Sequence, residues 1–149
     1  MARPADDRGE TLLEVLIAVV IMGIAIVAII GGLVTSVLLS DVHRKQATAG
    51  AAVRDYAETI EKYAAAGNYV PCATAASYAA GSVGFTKPTG YTPAVNAVAY
   101  WNGSGWVSGC GTDLGLQQLK VQVASDDTRA NEQLTIVVRK RCGLSDTLC

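Results

Sequence analysis

The chain has 149 residues, half of them hydrophobic, and a net charge of −1. Once an apolar run of membrane length is set aside, roughly 110 residues remain, enough for one small domain and not for two. The near-neutral balance excludes a global electrostatic attraction to nucleic acid or anionic lipid, and a small core with 6% aromatic residues calls for the covalent staples that four cysteines can supply.

Residues 1–9 read as a short polar leader containing Arg3, Asp6, Asp7 and Arg8. A secretory signal would put its apolar region ahead of the cut, whereas here the apolar region follows Gly9 and would be kept. From Val15 to Val34 every residue is apolar or glycine. About 20 residues at about 1.5 Å rise give about 30 Å, a single helical crossing of a bilayer core. Glu14 stands at the mouth of this run, where an unpaired carboxylate is costly toward the bilayer centre and less so at its edge. In a plain anchor it would lie at the headgroups, in water and near the positive end of the helix dipole.

Gly9, Thr11, Leu12, Leu13 and Glu14 together form a glycine followed by a carboxylate-bearing apolar helix. This segment resembles the processing signature of the type IV pilins and of the pseudopilins of type II secretion. The resemblance implies cleavage by a prepilin peptidase between Gly9 and Glu10 and N-methylation of the new Glu10 terminus. It also implies extraction from the membrane into a filament of other pilin or pseudopilin subunits at an inner-membrane assembly platform. Glu14 would pair there with the N-terminal amine of the adjacent subunit. Glu10 departs from the family pattern, which has phenylalanine or another apolar residue there, and this points to a minor subunit.

Thr35 to Ala66 contains no proline, so the helix is expected to continue. Ala49, Val53, Tyr56, Ile60 and Tyr63 recur at steps of four and three, an apolar stripe on one helical face. Arg54, Glu58 and Lys62 lie four apart on the other face. Gly67-Asn68, with Pro71 beyond, predicts the end. Gly31-Gly32 has two readings: a weak point where, as the resemblance implies, the helix melts on entering a filament, or a site of close helix packing in lipid. A hinge there between two separate helices is the alternative to one long helix. The resulting division is a leader over 1–9, a membrane-spanning segment over 10–40 and an extracytoplasmic domain over 41–149 that includes the amphipathic half of the helix.

Between Asn68 and Asn96 no period is sustained, which predicts a long irregular connection with one short helical turn, pinned by Cys72. Ala97 to Trp101 and Gly105 to Ser108 flank Asn102-Gly103-Ser104 as a hairpin. Leu119, Val121 and Val123 alternate with polar neighbours, as do Leu134, Ile136 and Val138 after the turn at Ser125-Asp126-Asp127. The expected fold class is α+β: a long N-terminal helix packed on a small antiparallel four-stranded sheet, laid out as a meander with one face to solvent.

Cys72, Cys110, Cys142 and Cys149 allow three pairings, all open from sequence. Cys72 with Cys110 would tie the long connection to the sheet, and Cys142 with Cys149 would close the tail on the last strand, so these are favoured. All four follow the membrane segment, which sets the C-terminal domain outside the reducing cytosol. There is no C-x2-C pair, and the single histidine, His43, sits beside the membrane, so no metal or other cofactor is expected. No nucleophile and base pair, phosphate loop or carboxylate dyad points to catalysis. Arg139-Lys140-Arg141 with Trp101 and Trp106 is a weak nucleic-acid signal that reads better as a solvated strand end. The sequence therefore points to a non-enzymatic filament subunit. A single-pass membrane-anchored extracellular binding domain that never polymerises is the alternative, and it would not be processed at Gly9.

Overall fold

The computed structural model describes residues 8–142. They fall into two compact units, one up to Asp41 and one from Val42 onward. Both share the first element, helix α1, which runs from Arg8 to Tyr63 over 56 residues.

The part of α1 in the first unit is long and apolar enough to cross a membrane. Every residue from Thr11 to Ser40 is exposed. The helix passes through Gly31-Gly32 without a break, so it is one helix and not a hinged pair. The Thr35 hydroxyl donates to the Gly31 carbonyl at 2.9 Å. That back-bond satisfies a polar group within an otherwise apolar stretch.

In the second unit the amphipathic half of α1 buries Ala49, Val53, Tyr56 and Ile60, with Ala52 and Ala57 beside them and Tyr63 partly covered. The alanines keep this face low, which lets a helix lie close to a sheet. The helix widens into a π turn over Ala64–Asn68 and stops where Gly67 takes φ 97°. Asn68 Nδ2 then donates to the Tyr63 carbonyl at 3.2 Å, capping one of the carbonyls that a helix end leaves open.

The connection that follows holds a 3₁₀ turn over Ala75–Tyr78 and the short helix α2, Ala80–Val83. The strands are β1 (Tyr91–Trp101), β2 (Trp106–Val107), β3 (Leu116–Ser125) and β4 (Asn131–Arg139). β1 thus begins at Tyr91 and not at Ala97. Its first half carries Pro93 and a bulge between Val95 and Ala97, features that erase the alternation expected of a strand. Pro93 is tolerated because β2 pairs only with Tyr100 and Trp101, which leaves the Tyr91–Ala99 stretch of β1 on an edge among the described residues.

All pairings are antiparallel, but the order is β2-β1-β3-β4 and not the expected meander. β2 is too short to template a third strand. Instead residues 108–115 cross the end of β1, where the Leu114 N–H donates to the Trp101 carbonyl at 3.1 Å, and β3 then pairs on the far side of β1. β3 becomes the central inward ridge, with Leu119, Val121 and Val123 fully buried. Each such side chain contributes about 1.5–3 kcal/mol of burial. Tyr78, Val83 and Phe85 from the connection join this core, and the Phe85 ring lies 4.9 Å from that of Tyr56. The outer face is polar where Lys120 opposes Thr135 and Gln122 opposes Gln133, as a solvated sheet face requires.

At the other end of the sheet from the β1–β2 hairpin, the Ser125–Ala130 turn is closed by the Ala130 N–H on Ser125 Oγ at 2.9 Å. Lys45 of α1 pairs with Asp127 in this turn. The Lys45 ammonium, followed by the Ser125 hydroxyl, holds the Asp127 carboxyl well below the usual carboxylate range.

Candidate functional site

Two places carry chemistry beyond ordinary packing. The first is the start of α1. Gly9 and Glu10 lie within its opening turn, since the helix begins at Arg8; their side chains are outside the described set. Glu14 follows one turn later and is exposed. Helical spacing puts Thr11, Ile17 and Ala18 around it, so the carboxylate sits at the boundary of a polar turn and an apolar one. It has no hydrogen bond or ion pair to another described residue. The residues from Thr11 to Ser40 are exposed, and no described residue neutralises Glu14.

The second place is a polar knot that fastens the connection to the sheet. Asp113 accepts four hydrogen bonds: from Tyr69 Oη at 2.7 Å, the Cys72 N–H at 2.9 Å, Gln117 Nε2 at 2.6 Å and the Gly115 N–H at 2.9 Å. Gln117 is fully buried on the inward face of β3. It also donates to the Val70 carbonyl at 2.9 Å and accepts from Tyr78 Oη at 2.6 Å. Tyr56 donates to the Tyr78 carbonyl and Tyr100 to the Ala73 carbonyl, each at 2.7 Å. Every hydroxyl in this set lies at the end of an apolar ring, so each tyrosine fills volume and spends its hydroxyl on a fixed partner: a backbone carbonyl for Tyr56 and Tyr100, a side chain for Tyr69 and Tyr78. Beside the knot the Cys72–Cys110 disulfide joins the same two segments, with the Cα atoms 5.5 Å apart.

Burial opposes ionisation of Asp113, yet the bonds from Gln117, Cys72, Tyr69 and Gly115 outweigh it and hold the carboxyl below its ordinary range. Burial pushes the Tyr56 and Tyr78 phenols up to about 12. Burial also raises Tyr69, and the neighbouring Asp113 raises it further. The sign follows from linkage. A phenol with a raised folded-state pKa contributes stability that is intact below its unfolded value of about 10 and disappears as pH rises through the folded value. The urea midpoint of the full-length chain in detergent is therefore expected to stay level to about pH 9 and to fall between about pH 10 and 12. Tyrosine absorbance and circular dichroism followed together would check it. A midpoint level through this window would mean that these phenols ionise freely in the folded state.

The other residues singled out from sequence are dispersed. Trp101 and Trp106 form an edge-to-face pair with centroids 5.4 Å apart on β1 and β2. Arg139 lies on β4, with β3 between it and the tryptophans. A cavity of about 330 Å³ lined by Tyr69, Asp113, Arg139, Lys140 and Cys142 opens next to the knot. Two of its polar walls, Tyr69 and Asp113, are already bonded to each other. Cys142 is itself disulfide-bonded, and the expected pairing with Cys149 lies outside the described residues.

Asp113, Gln117, Tyr69 and Tyr78 were not expected from sequence. One signal was available: Gln117 shares the period-two face of Leu119, Val121 and Val123, and a buried amide on such a face demands partners. No protein-family model, no curated protein and no solved structure matches this chain.

Proposed function

We propose that the chain is a minor pilin or pseudopilin, a non-enzymatic structural subunit that is held in the cytoplasmic membrane by α1 and then drawn into a filament. The observation that carries this reading is the apolar helical stretch from Thr11 to Ser40, exposed along its whole length and headed by Glu14, to which no described residue supplies a counter-charge. Exposed apolar surface on this scale needs a solvent other than water. A bilayer supplies it before assembly and the helices of neighbouring subunits supply it afterwards. The motif at Gly9, Thr11, Leu12, Leu13 and Glu14 favours the filament over a permanent anchor. Its partners are a prepilin peptidase, other pilin or pseudopilin subunits and the inner-membrane assembly platform. The Cys72–Cys110 disulfide supports a domain outside the cytosol.

The reading predicts peptidase cleavage between Gly9 and Glu10, with Glu10 as the new terminus and its amine the site for N-methylation. Intact-mass spectrometry of the membrane-extracted protein, from cells with and without a prepilin peptidase, tests it. The expected result is loss of residues 1–9 only where the peptidase is present. An uncut terminus in peptidase-containing cells would remove the filament reading and leave a membrane-anchored extracellular binding domain.

A further inference from the structure

The carboxylate of Asp113 bridges two segments that are far apart in sequence. Oδ1 accepts from Tyr69 Oη and from the Gly115 N–H, while Oδ2 accepts from the Cys72 N–H and from Gln117 Nε2. Each oxygen thus holds one donor from the Tyr69–Cys72 arm and one from the Asp113–Gln117 arm. Gln117 Nε2 adds a direct strut to the Val70 carbonyl. None of these donors or acceptors is a sulfur atom, so the groups that form the clamp are chemically the same in the reduced chain. Cys72 has φ 58°, a left-handed conformation that a non-glycine residue adopts seldom and only when its surroundings enforce it. The N–H that Asp113 holds is the one belonging to this residue.

We propose that Asp113 is the positioning residue for the Cys72–Cys110 disulfide. In the reduced chain its carboxylate docks the Tyr69–Cys72 arm on the Asp113–Gln117 arm and presents the two thiols to an external disulfide oxidant. One thiolate attacks the oxidant disulfide and releases a thiolate from it, leaving a mixed disulfide. The second thiolate attacks the protein sulfur of that mixed disulfide and releases the other half. Two protein thiols are oxidised, and one small disulfide is reduced to two thiols. Prior docking raises the effective concentration of one thiol at the other, and by linkage the closed disulfide returns the same factor to the docked arm.

The test uses the full-length chain in detergent, equilibrated in glutathione redox buffers, quenched and alkylated. Peptide mass spectrometry then reads the fraction of Cys72 and Cys110 closed. Asp113→Ala is expected to lower the glutathione equilibrium constant for this pair about tenfold or more. Tyr69→Phe, which removes a single donor, is expected to lower it about threefold. Lys45→Ala, which cuts the tie to Asp127 at the other end of β3, leaves the clamp untouched and should leave the constant unchanged. If Asp113→Ala prevents the reduced chain from folding, Tyr69→Phe decides. Constants within about twofold of wild type for the variants that fold would overturn the proposal, because docking that brings the two thiols together must appear in the equilibrium constant for joining them.

Discussion

Replacing Cys72 and Cys110 together with alanine is expected to destabilise the domain that begins at Val42 by about 4 kcal/mol. The bond spans a sequence separation of 38, and closing a loop of that length removes chain entropy from the unfolded state worth about 4 kcal/mol. For a small domain with a total stability of about 5–15 kcal/mol this is a large share. The folded state is affected as well. The connection after α1 contributes Tyr78, Val83 and Phe85 to the core, and without the staple only hydrogen bonds and burial hold it there. Urea unfolding of the full-length chain in detergent, read by the fluorescence of Trp101 and Trp106, measures the loss. A change under about 1 kcal/mol would show that the Asp113 knot alone secures the connection and that the disulfide is redundant to stability.

How legible each part was depended on whether its signal lay within one element. The amphipathic half of α1 was legible because Ala49, Val53, Tyr56 and Ile60 repeat along a single helix and need no knowledge of what they face. β3 and β4 were legible for the same reason, through Leu119-Val121-Val123 and Leu134-Ile136-Val138. The first half of β1 was not, because Pro93 and the bulge before Ala97 break the alternation, and its edge position makes both tolerable. The strand order was not legible either. A two-residue β2 and a connection that crosses the end of β1 leave no periodic mark. The knot at Asp113 joins residues 41 and 44 positions apart, and such pairing arises only when the connection folds back on the sheet. At the start of α1 the division is reversed. The Gly9 to Glu14 motif belongs to the sequence, and the fold adds one fact about it, that the stretch of helix it heads, Thr11 to Ser40, is exposed.

That uncovered helix makes Glu14 the most consequential single residue under the proposed function. In a membrane the carboxylate can stay at the headgroup level, where its cost is small. Packed among the apolar helices of a fibre it would carry a desolvation cost of several kcal/mol unless a cation meets it. The resemblance to pilins supplies one: the N-terminal amine of the neighbouring subunit, freed by cleavage ahead of Glu10. A pair of this kind fixes axial register, because any other offset buries two unmatched charges. On that reading the side chain of Glu10 would compete for the same amine, and a subunit with that handicap would suit a minor position better than a repeated one. Glu14→Leu makes the membrane helix more apolar, so insertion and the folded domain are expected to be intact. Loss of a pair worth a few kcal/mol should lower incorporation into filaments about tenfold or more, each 1.4 kcal/mol being about a factor of ten. Glu14→Gln, which keeps the shape and loses the charge, is expected to follow Glu14→Leu. The measurement is the ratio of this protein in sheared filaments to that in membranes at equal expression. An unchanged ratio for Glu14→Leu would mean that Glu14 is an interfacial residue with no part in assembly. A defect in Glu14→Leu that Glu14→Gln repairs would mean that polarity at the helix mouth, and not charge pairing, is what assembly requires.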